Sequence, residues 1–289
     1  MKIGTYFAYW EKEWDTDFFP YISKVAKLGF DILEIAGGGL ADLPDEQVLR
    51  LQEEASRCGI TLTVCIGLPA KYDVSSENEE IRQAGIAYMK RLIDKTQLLG
   101  AKQIGGIVYA YWPADYSKPV NKAAVREISI RSVQELADYA LPKDVTLTLE
   151  TVNRFEQFLF NDAAEAVQFV KDVNRENVKV MLDSFHMNIE EDSFYDAIVS
   201  TGSYLGHFHI GEPNRKVPGK GRIPWDEIGR ALHDIHYDGT VVMEPFVRPG
   251  GGVGADIKVW RDLSDDASDE QLDEDIAESC RFVRKAFCR

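Results

Sequence analysis

Eight short apolar runs recur along the chain, and amphipathic stretches separate them. The runs are rich in valine, isoleucine and leucine, which is typical of strands buried on both faces. We therefore predict strands at 2–10, 31–37, 61–69, 103–110, 146–153, 178–185, 205–212 and 239–246. Apolar residues at helical spacing predict helices at roughly 16–29, 45–58, 78–99, 121–140, 162–173, 193–201, 224–236 and 268–287.

Strand and helix alternate eight times, and this repetition decides the predicted fold class. Alternating units imply an α/β protein with a parallel sheet, and eight of them favour closure into a (β/α)8 TIM barrel. No GxGxxG follows the first predicted strand, so an open dinucleotide-binding sheet is disfavoured. No linker-like segment divides the chain, and residues 1–289 are expected to form a single domain.

The net charge narrows the range of partners. Lys and Arg number 33 against 48 Asp and Glu, which gives a formal charge of −15, and no basic run offsets it. Such a chain repels polyanions, which disfavours nucleic acid and favours a neutral or cationic small molecule or a divalent metal. No apolar run approaches ~18 residues, so no membrane partner is expected.

The cysteines and the start of the chain bear on the cellular compartment. Cys58, Cys65, Cys280 and Cys288 form no CxxC pair, which fits a reduced protein without disulfides. The chain opens on the strand-like MKIGTYFAYW rather than on the pattern of a signal peptide. We therefore expect a cytoplasmic protein.

The fifth to eighth predicted strands each carry an ionisable residue near the end of one face. Alternate residues of a strand point to opposite sides, so bulky apolar residues such as Leu147 and Leu149 face the helices. The other face points into the barrel, where it ends in Glu150, Asp183, His209 and Glu244. Because the chemistry of such barrels lies at the C-terminal ends of the strands, these four side chains are expected to converge on one point.

Three carboxylates and an imidazole at one buried point predict a metal site. Without a cation the buried carboxylates are destabilised and repel one another. Oxygen-rich ligands suit Mn²⁺, Mg²⁺ or Co²⁺, whereas Zn²⁺ prefers fewer oxygens. A single glutamate at a strand end is more often a solvated rim residue, and a single buried histidine a core residue, but four such residues together favour a metal. His207 lies one layer deeper and is either a support for the site or a core residue.

These residues lie within long segments that resemble a known family. The segments are IGGIVYAYWP, LETVNRFEQFLFN, VKVMLDSFHMNIEEDSF, LGHFHIGEPNRKVPGKGRIPW and VVMEPF. In order and spacing they closely resemble the D-psicose (allulose) 3-epimerase and D-tagatose 3-epimerase family of xylose isomerase-like TIM barrels. The resemblance implies a ketohexose epimerase that depends on Mn²⁺ or Co²⁺ and that forms a homodimer or homotetramer, while the oxygen-rich donor set also allows Mg²⁺. Its substrates would be free ketohexoses, with D-fructose giving D-psicose and D-tagatose giving D-sorbose.

The resemblance also implies roles for individual residues. It places metal ligands at the same four positions that strand register selects, with Glu150 and Glu244 also acting as acid and base. It implies that hydrogen bonds to the oxygens around C1 to C3 come from Glu156, His186 and Arg215. It implies that the pocket is lined by Tyr6, Trp112 and Phe246. The segments IVYAYWP and GLPAKYDVSS depart from relatives, which leaves the preference among C4 epimers open.

Three of these residues also have plain structural alternatives. Arg215 is otherwise a mobile loop cation, Trp112 a packed loop anchor and Glu156 a member of a surface ion pair. For His186, which lies three residues beyond Asp183, we expect a hydrogen bond to O2 that adds to the polarisation of the carbonyl group.

Inverting C3 of a 2-ketose explains why such residues are needed. The C3 proton is too weak an acid for a carboxylate to remove unless the charge of the developing enediolate is stabilised, which a divalent cation does. Two carboxylates on opposite sides of C3 make the step reversible, each acting as base in one direction and acid in the other. Glu150 and Glu244 lie on strands that are not adjacent and are expected to face each other across the ligand.

Other functions share this kind of scaffold. A hydroxypyruvate isomerase-like aldose–ketose isomerase and an inosose dehydratase-like lyase are the nearest alternatives. A sugar-sensing barrel without catalysis would not require both glutamates. An endonuclease IV-like DNA repair enzyme would need further His and Glu ligands on the early strands and a basic surface. It is disfavoured, because all five histidines lie between 186 and 236 and the charge is −15.

The glycines of RPGGGVGADIK (248–258) are only a weak signal for a phosphate-binding loop, and we predict a turn-rich loop over the site.

Overall fold

Eight parallel strands close into a barrel in chain order in the computed structural model, which describes residues 1–117 and 119–287. The strands are β1 (Lys2–Tyr6), β2 (Ile32–Ala36), β3 (Thr61–Leu68), β4 (Gln103–Tyr111), β5 (Thr146–Glu150), β6 (Val178–Asp183), β7 (Leu205–Ile210) and β8 (Thr240–Met243). β1 pairs with β8, from Lys2 opposite Thr240 to Thr5 opposite Met243, and this pairing closes the sheet. The predicted α/β class and the (β/α)8 barrel are confirmed. Cys288 lies outside the described residues.

Helices follow the strands in the described part of the chain. They are α1 (Phe19–Lys27), α2 (Asp45–Cys58), α3 (Glu79–Leu98), α4 (Lys122–Ala140), α5 (Ala163–Val173), α6 (Ser184–Glu190), α7 (Phe194–Thr201), α8 (Trp225–Asp234), α9 (Gly251–Ile257) and α10 (Asp269–Phe287). Side-chain caps start several of them, as where Asp162 accepts a hydrogen bond from the N–H of Glu165. Gly59, with φ of 68°, ends α2 in the left-handed conformation that glycine adopts without strain. Within the described residues, no helix combines the length and the hydrophobicity that crossing a bilayer requires.

Two short helices were not predicted, and several strands end earlier than predicted. β6 ends at Asp183 and α6 begins at the next residue, because the Asp183 carboxylate caps the helix by accepting a hydrogen bond from the N–H of Phe185 at 2.5 Å. α9 lies in the glycine-rich segment that was predicted to be a loop. β1 ends at Tyr6, where a 3₁₀ turn, Phe7–Tyr9, follows. Apolar residues continue past these strand ends, so hydrophobicity alone could not show where pairing stops.

The two faces of the strands carry different side chains. Thr148, Met181 and His207 all lie close to Gly105, which places them together on the inner face of the barrel. The alternating residue Leu149 is fully buried on the opposite face, towards the helices, as predicted. Burying a side chain of this size contributes roughly 1.5–3 kcal/mol to stability. The outer face is therefore the main apolar core, and the inner face is partly polar.

The stagger of the strands brings the four predicted ligand positions to one height. Asp183 lies directly opposite His209 in the sheet. Glu150 lies opposite Met181, two residues before Asp183. Glu244 lies two residues beyond the position opposite His209. Because barrel strands tilt, positions at the same height shift along the sequence from one strand to the next. The four positions therefore meet at the C-terminal mouth.

Candidate active site

A cavity of about 520 Å³ opens at the C-terminal ends of the strands. Its polar side is lined by Glu150, Glu156, His186, Arg215 and Glu244. The rest of its wall is mainly apolar and includes Tyr6, Trp14, Ile66, Ile107, Trp112 and Ile257. A few polar groups on one side of an apolar cavity of this size are typical of small-molecule sites. The position is also the one where barrel enzymes bind substrates.

Four ionisable side chains meet at the floor of this cavity. Ligand atoms of Glu150, Asp183, His209 and Glu244 all lie within 4.8 Å of one another. The Nδ1 atom of His209 lies 3.3 Å from Glu244 Oε1 and 4.0 Å from Asp183 Oδ2. Three of the four residues are almost fully buried, and the side chain of Glu244 is 12% exposed. The structure therefore brings together the quartet that strand register predicts.

The quartet fits a divalent cation. Asp183 Oδ2 and His209 Nδ1 are buried and have no hydrogen-bond partner among the described residues. A buried polar atom without a partner destabilises a fold by about 1–3 kcal/mol. Burial raises the pKa of Glu150 well above its usual value, and the nearby carboxylate of Glu244 raises it further. A cation at the centre of the quartet relieves both effects, and three carboxylates with one imidazole are a donor set for a hard metal ion.

A further acidic residue next to the quartet, Glu34 on β2, was not predicted as part of the site. It is fully buried and accepts a hydrogen bond from His209 Nε2 and another from Thr63 Oγ1 at 2.8 Å. Burial raises the pKa of Glu34, but His209 and His207 outweigh burial and hold this pKa well below the usual range. The charged residue in the otherwise apolar strand ILEIA was the one available signal.

His207 lies beneath the quartet and is not part of it. Its Nε2 atom is 3.2 Å from Glu34 Oε2, and its Nδ1 atom is 2.6 Å from Thr240 Oγ1. Burial lowers the pKa of His207, although the charge of Glu34 opposes this effect. Of the two alternatives left open by the sequence, the contacts place His207 in a supporting layer below the site.

His186 is held in one orientation by a residue that was not predicted, Asn153. The backbone N–H of Asn153 donates to His186 Nδ1 at 3.2 Å, and its side-chain Nδ2 lies 2.8 Å from the same atom. Because both of these groups are donors, Nδ1 is the acceptor and the proton of a neutral ring is on Nε2. Nε2 lies 3.6 Å from Glu150 Oε1, at the cavity wall. His186 therefore presents an N–H donor to the cavity.

Glu156 is an anchored carboxylate rather than a surface ion pair. Its two oxygens accept hydrogen bonds from Asn153 Nδ2 and Trp112 Nε1, both at 2.9 Å. Burial raises the pKa of Glu156, but the opposing effects of His186 and Arg215 prevail and lower it. The hydrogen bond from Trp112 Nε1 to Glu156 also fixes the indole ring of Trp112 at the cavity wall.

Arg215 is buried and fixed, so it is not a mobile loop cation. Its guanidinium group lies over the ring of Phe185 at 3.4 Å and 5.3 Å from the ring of Phe246. Its terminal nitrogens lie 3.6 Å from Glu244 Oε2 and 3.8 Å from Glu156 Oε1. Arginine stacked on aromatic faces keeps its planar group oriented for hydrogen bonding.

The three predicted aromatic residues occupy different positions. Tyr6 and Trp112 line the cavity. Phe246 lies behind this wall, is 2% exposed, and packs against Tyr6, with ring centroids 6.2 Å apart. Phe246 also contacts the Arg215 side chain, whereas the cavity lining does not include it.

The glycine-rich segment offers no phosphate cradle. The N–H of Gly252 donates to the Glu13 carboxylate at 3.0 Å, and the N–H of Val253 donates to the carbonyl of Lys12 at 2.9 Å. A side chain at Gly251 would lie 2.1 Å from that carbonyl, so glycine is needed for the close approach of the two segments. The N-terminus of α9 is thus occupied by the chain itself.

Comparison with known proteins agrees with this geometry. A family model described as xylose isomerase-like TIM barrel matches residues 22–285. A D-psicose 3-epimerase of Agrobacterium fabrum is 51% identical and the match covers 98% of each chain. A D-psicose 3-epimerase of Ruminiclostridium cellulolyticum is 53% identical, with 98% of this chain and 97% of the relative covered. The crystal structure of a D-psicose 3-epimerase in the presence of D-fructose is 50% identical, with a TM-score of 0.98 over 99% of both chains.

Proposed function

Because this chain belongs to the D-psicose 3-epimerase family of xylose isomerase-like TIM barrels, we propose that it inverts C3 of free ketohexoses. The reactions are D-fructose to D-psicose and D-tagatose to D-sorbose, and the enzyme is an isomerase. The observation that carries the proposal is the presence of two carboxylates, Glu150 and Glu244, both in the cavity wall and in the buried quartet. An α-proton transfer with inversion needs one such group on each side of the reacting carbon.

A resident metal ion is the second part of the proposal. Glu150, Asp183, His209 and Glu244 would hold it, as Mn²⁺ or Co²⁺ with Mg²⁺ as an alternative. When bound, it supplies a Lewis acid that stabilises negative charge on the ketose oxygens. The two unpartnered buried atoms of the quartet support its presence.

The carboxylates of Glu150 and Glu244 move the proton. In one direction the first removes the C3 proton and the second returns a proton to the opposite face, and in the other direction their roles reverse. β5 and β8 are not neighbours in the barrel, so the two groups approach the cavity from different sides. Asp183 and His209 need not move a proton.

Three neighbouring side chains orient the sugar and its charge. His186 donates its Nε2 proton towards the oxygen of the C2 carbonyl. Arg215 donates from a fixed planar group, and Glu156 accepts from a substrate hydroxyl. In a site shielded from water, hydrogen bonds that point at developing negative charge lower the activation barrier more than the same hydrogen bonds would in water. Tyr6 and Trp112 shape the cavity, and Phe246 acts through Arg215.

Further proposals concern the whole protein. We propose that residues 1–289 fold as a single domain and that the protein is cytoplasmic and forms a homodimer or homotetramer. Its partners are small ketoses rather than nucleic acid.

Incubation with D-fructose in D₂O tests the function. With Mn²⁺ present, we expect D-psicose that carries deuterium at C3, identified by chromatography and mass spectrometry. An aldose product would indicate an aldose–ketose isomerase instead, and unchanged D-fructose without deuterium would contradict any proton transfer at C3. Protein treated with EDTA is the control. It should be inactive until Mn²⁺ or Co²⁺ is added, and full activity without metal would refute the metal site.

A further inference from the structure

A connected set of buried polar side chains lies beneath the quartet. Glu34 Oε1 accepts a hydrogen bond from His209 Nε2. Glu34 Oε2 accepts from Thr63 Oγ1 at 2.8 Å and lies 3.2 Å from His207 Nε2. The other nitrogen of His207 is held by Thr240 Oγ1 at 2.6 Å. The two oxygens of one carboxylate thus contact two histidines of the same strand.

This placement is energetically demanding. Glu34, His207 and His209 are all 0% exposed. A buried carboxylate without a compensating partner is strongly destabilising. In the part of the chain that the structure describes, no lysine or arginine pairs with Glu34, and its two ion-pair contacts are to His207 and His209. An apolar residue at this strand position would avoid the cost of burying a charge. We therefore expect the carboxylate to have a role in positioning the histidines that it contacts.

The contact decides which nitrogen of His209 faces the quartet. One oxygen of the Glu34 carboxylate lies at His209 Nε2 and the other accepts from Thr63, so the hydrogen bond to His209 places the proton of a neutral His209 ring on Nε2. The lone pair is then on Nδ1, the atom that points towards Glu244 and Asp183. A carboxylate that accepts from the far nitrogen of a metal-ligating histidine fixes its tautomer and orientation and makes it a stronger ligand.

We propose that Glu34 is a positioning residue that sets the affinity of the quartet for its divalent cation by holding His209 in the Nε2-protonated form. The inference rests on the metal part of the proposed function. Thr63 contributes by holding Oε2, which leaves Oε1 for His209.

The test measures cation binding rather than turnover. Metal-free wild-type protein and Glu34→Gln are titrated with Mn²⁺ by calorimetry, and the visible absorption of Co²⁺ bound to each is recorded. Removing such a supporting carboxylate is expected to weaken binding 10- to 100-fold and to shift the Co²⁺ bands, because the orientation and basicity of His209 change. Binding of Mn²⁺ as tight as that of the wild type, with an unchanged Co²⁺ spectrum, would overturn the proposal.

Glu212 provides a matched control. It is also 0% exposed, and it accepts hydrogen bonds from the N–H groups of Gly219 and Ile223 and from Trp225 Nε1, none of which belongs to the quartet. Glu212→Gln removes the same charge from a buried site, so it should lower thermal stability and keep the affinity for Mn²⁺. Equal loss of Mn²⁺ affinity in both variants would mean that the effect of Glu34 is general destabilisation.

A milder variant keeps the test decisive if Glu34→Gln does not fold. Thr63→Val preserves side-chain shape and removes the hydroxyl that holds Glu34, so Mn²⁺ affinity should fall a few-fold, and unchanged affinity would contradict the proposal. The outcome is also separable from the proposed function. If the wild-type protein does not epimerise D-fructose but the variants bind Mn²⁺ more weakly than it does, the proposed function is refuted and the role of Glu34 stands. If the wild-type protein epimerises D-fructose and the variants bind Mn²⁺ as tightly as it does, the function stands and the role of Glu34 is refuted.

Discussion

Replacing each proposed acid/base carboxylate, Glu150 or Glu244, by its amide should separate the two proton transfers of the reaction. Glu244 Oε1 lies 3.3 Å from His209 Nδ1 and Oε2 lies 3.6 Å from Arg215, so glutamine fits the same space without the charge. General acid–base catalysis contributes 10²- to 10⁴-fold, which corresponds to about 2.7–5.4 kcal/mol of barrier. We therefore expect Glu244→Gln and Glu150→Gln to lower kcat for epimerisation by at least 10²-fold, measured at saturating Mn²⁺ to compensate for a weakened ligand.

The remaining carboxylate gives the prediction its sharpest form. In Glu244→Gln, Glu150 still removes and returns the C3 proton on its own face, so one epimer should exchange C3–H for deuterium in D₂O without inversion. In Glu150→Gln the other epimer should exchange. The assay is proton NMR of D-fructose and D-psicose, each incubated separately with each variant. The expected pattern is crossed, with each variant labelling a different sugar.

Two results would refute this reasoning. Near-normal epimerisation by either variant would show that its carboxylate does not carry the proton. Exchange of the same epimer by both variants would show that one group serves both faces. Asp183→Asn is the control, because it alters the quartet without removing an acid/base group, and it should show no crossed pattern once its Mn²⁺ site is saturated.

Three further predictions follow from the contacts and burial. Arg215→Lys loses the planar group that stacks on Phe185 at 3.4 Å, so kcat/KM for D-fructose should fall about 10- to 100-fold by steady-state kinetics, and an unchanged value would exclude this orienting role. Burial and the charge of Glu244 raise the pKa of Glu150 in the metal-free protein, so a proton competes with the cation for this carboxylate. Mn²⁺ affinity should therefore rise with pH until the raised pKa of Glu150 is passed. Calorimetric titrations that give the same affinity at every pH would contradict this prediction. Leu149→Ala removes a fully buried side chain from β5 and should lower the free energy of unfolding by about 2–5 kcal/mol in chemical denaturation, whereas a loss below about 1 kcal/mol would mean that the site repacks.

The alternation of residues between the two faces of each strand was sufficient to predict the quartet. Glu150, Asp183 and His209 occupy inward positions whatever the details of the loops, because alternation fixes the face and the strand end fixes the height. Helix bounds followed as closely from apolar spacing, as at α2, where the predicted range 45–58 agrees with Asp45–Cys58. The face of a strand residue and the bounds of a helix depend on neighbouring residues in the sequence, so both could be predicted from it.

Residues whose role depends on barrel closure could not be found in this way. Glu34 precedes His209 by 175 positions, and its strand is buried along its whole length, so alternation does not show what it faces. Asn153 lies beyond the end of β5, where the backbone path that brings it to His186 has no periodic signature. Polar partners of this kind are set by tertiary contacts, and only their chemistry, a charge in an apolar strand or an amide after a glutamate, was visible beforehand.

The backbone supports the proposed double role of Glu150 and Glu244 as metal ligands and as acid and base. Glu244 follows β8 directly, and its N–H donates to the carbonyl of Ile210 at 2.9 Å. Glu150 ends β5, and the next N–H donates to the carbonyl of Met181 at 2.9 Å. Each carboxylate is thus attached to backbone that the sheet holds in place, and their separation is set by the barrel rather than by a flexible loop. Because pre-organised groups need no rearrangement at the moment of reaction, this fixed backbone is what the proposed proton transfer on either side of C3 requires. The same rigidity gives the polar layer beneath them its importance, since a shift of His209 would change the geometry of the quartet to which both proposed proton-transfer groups belong.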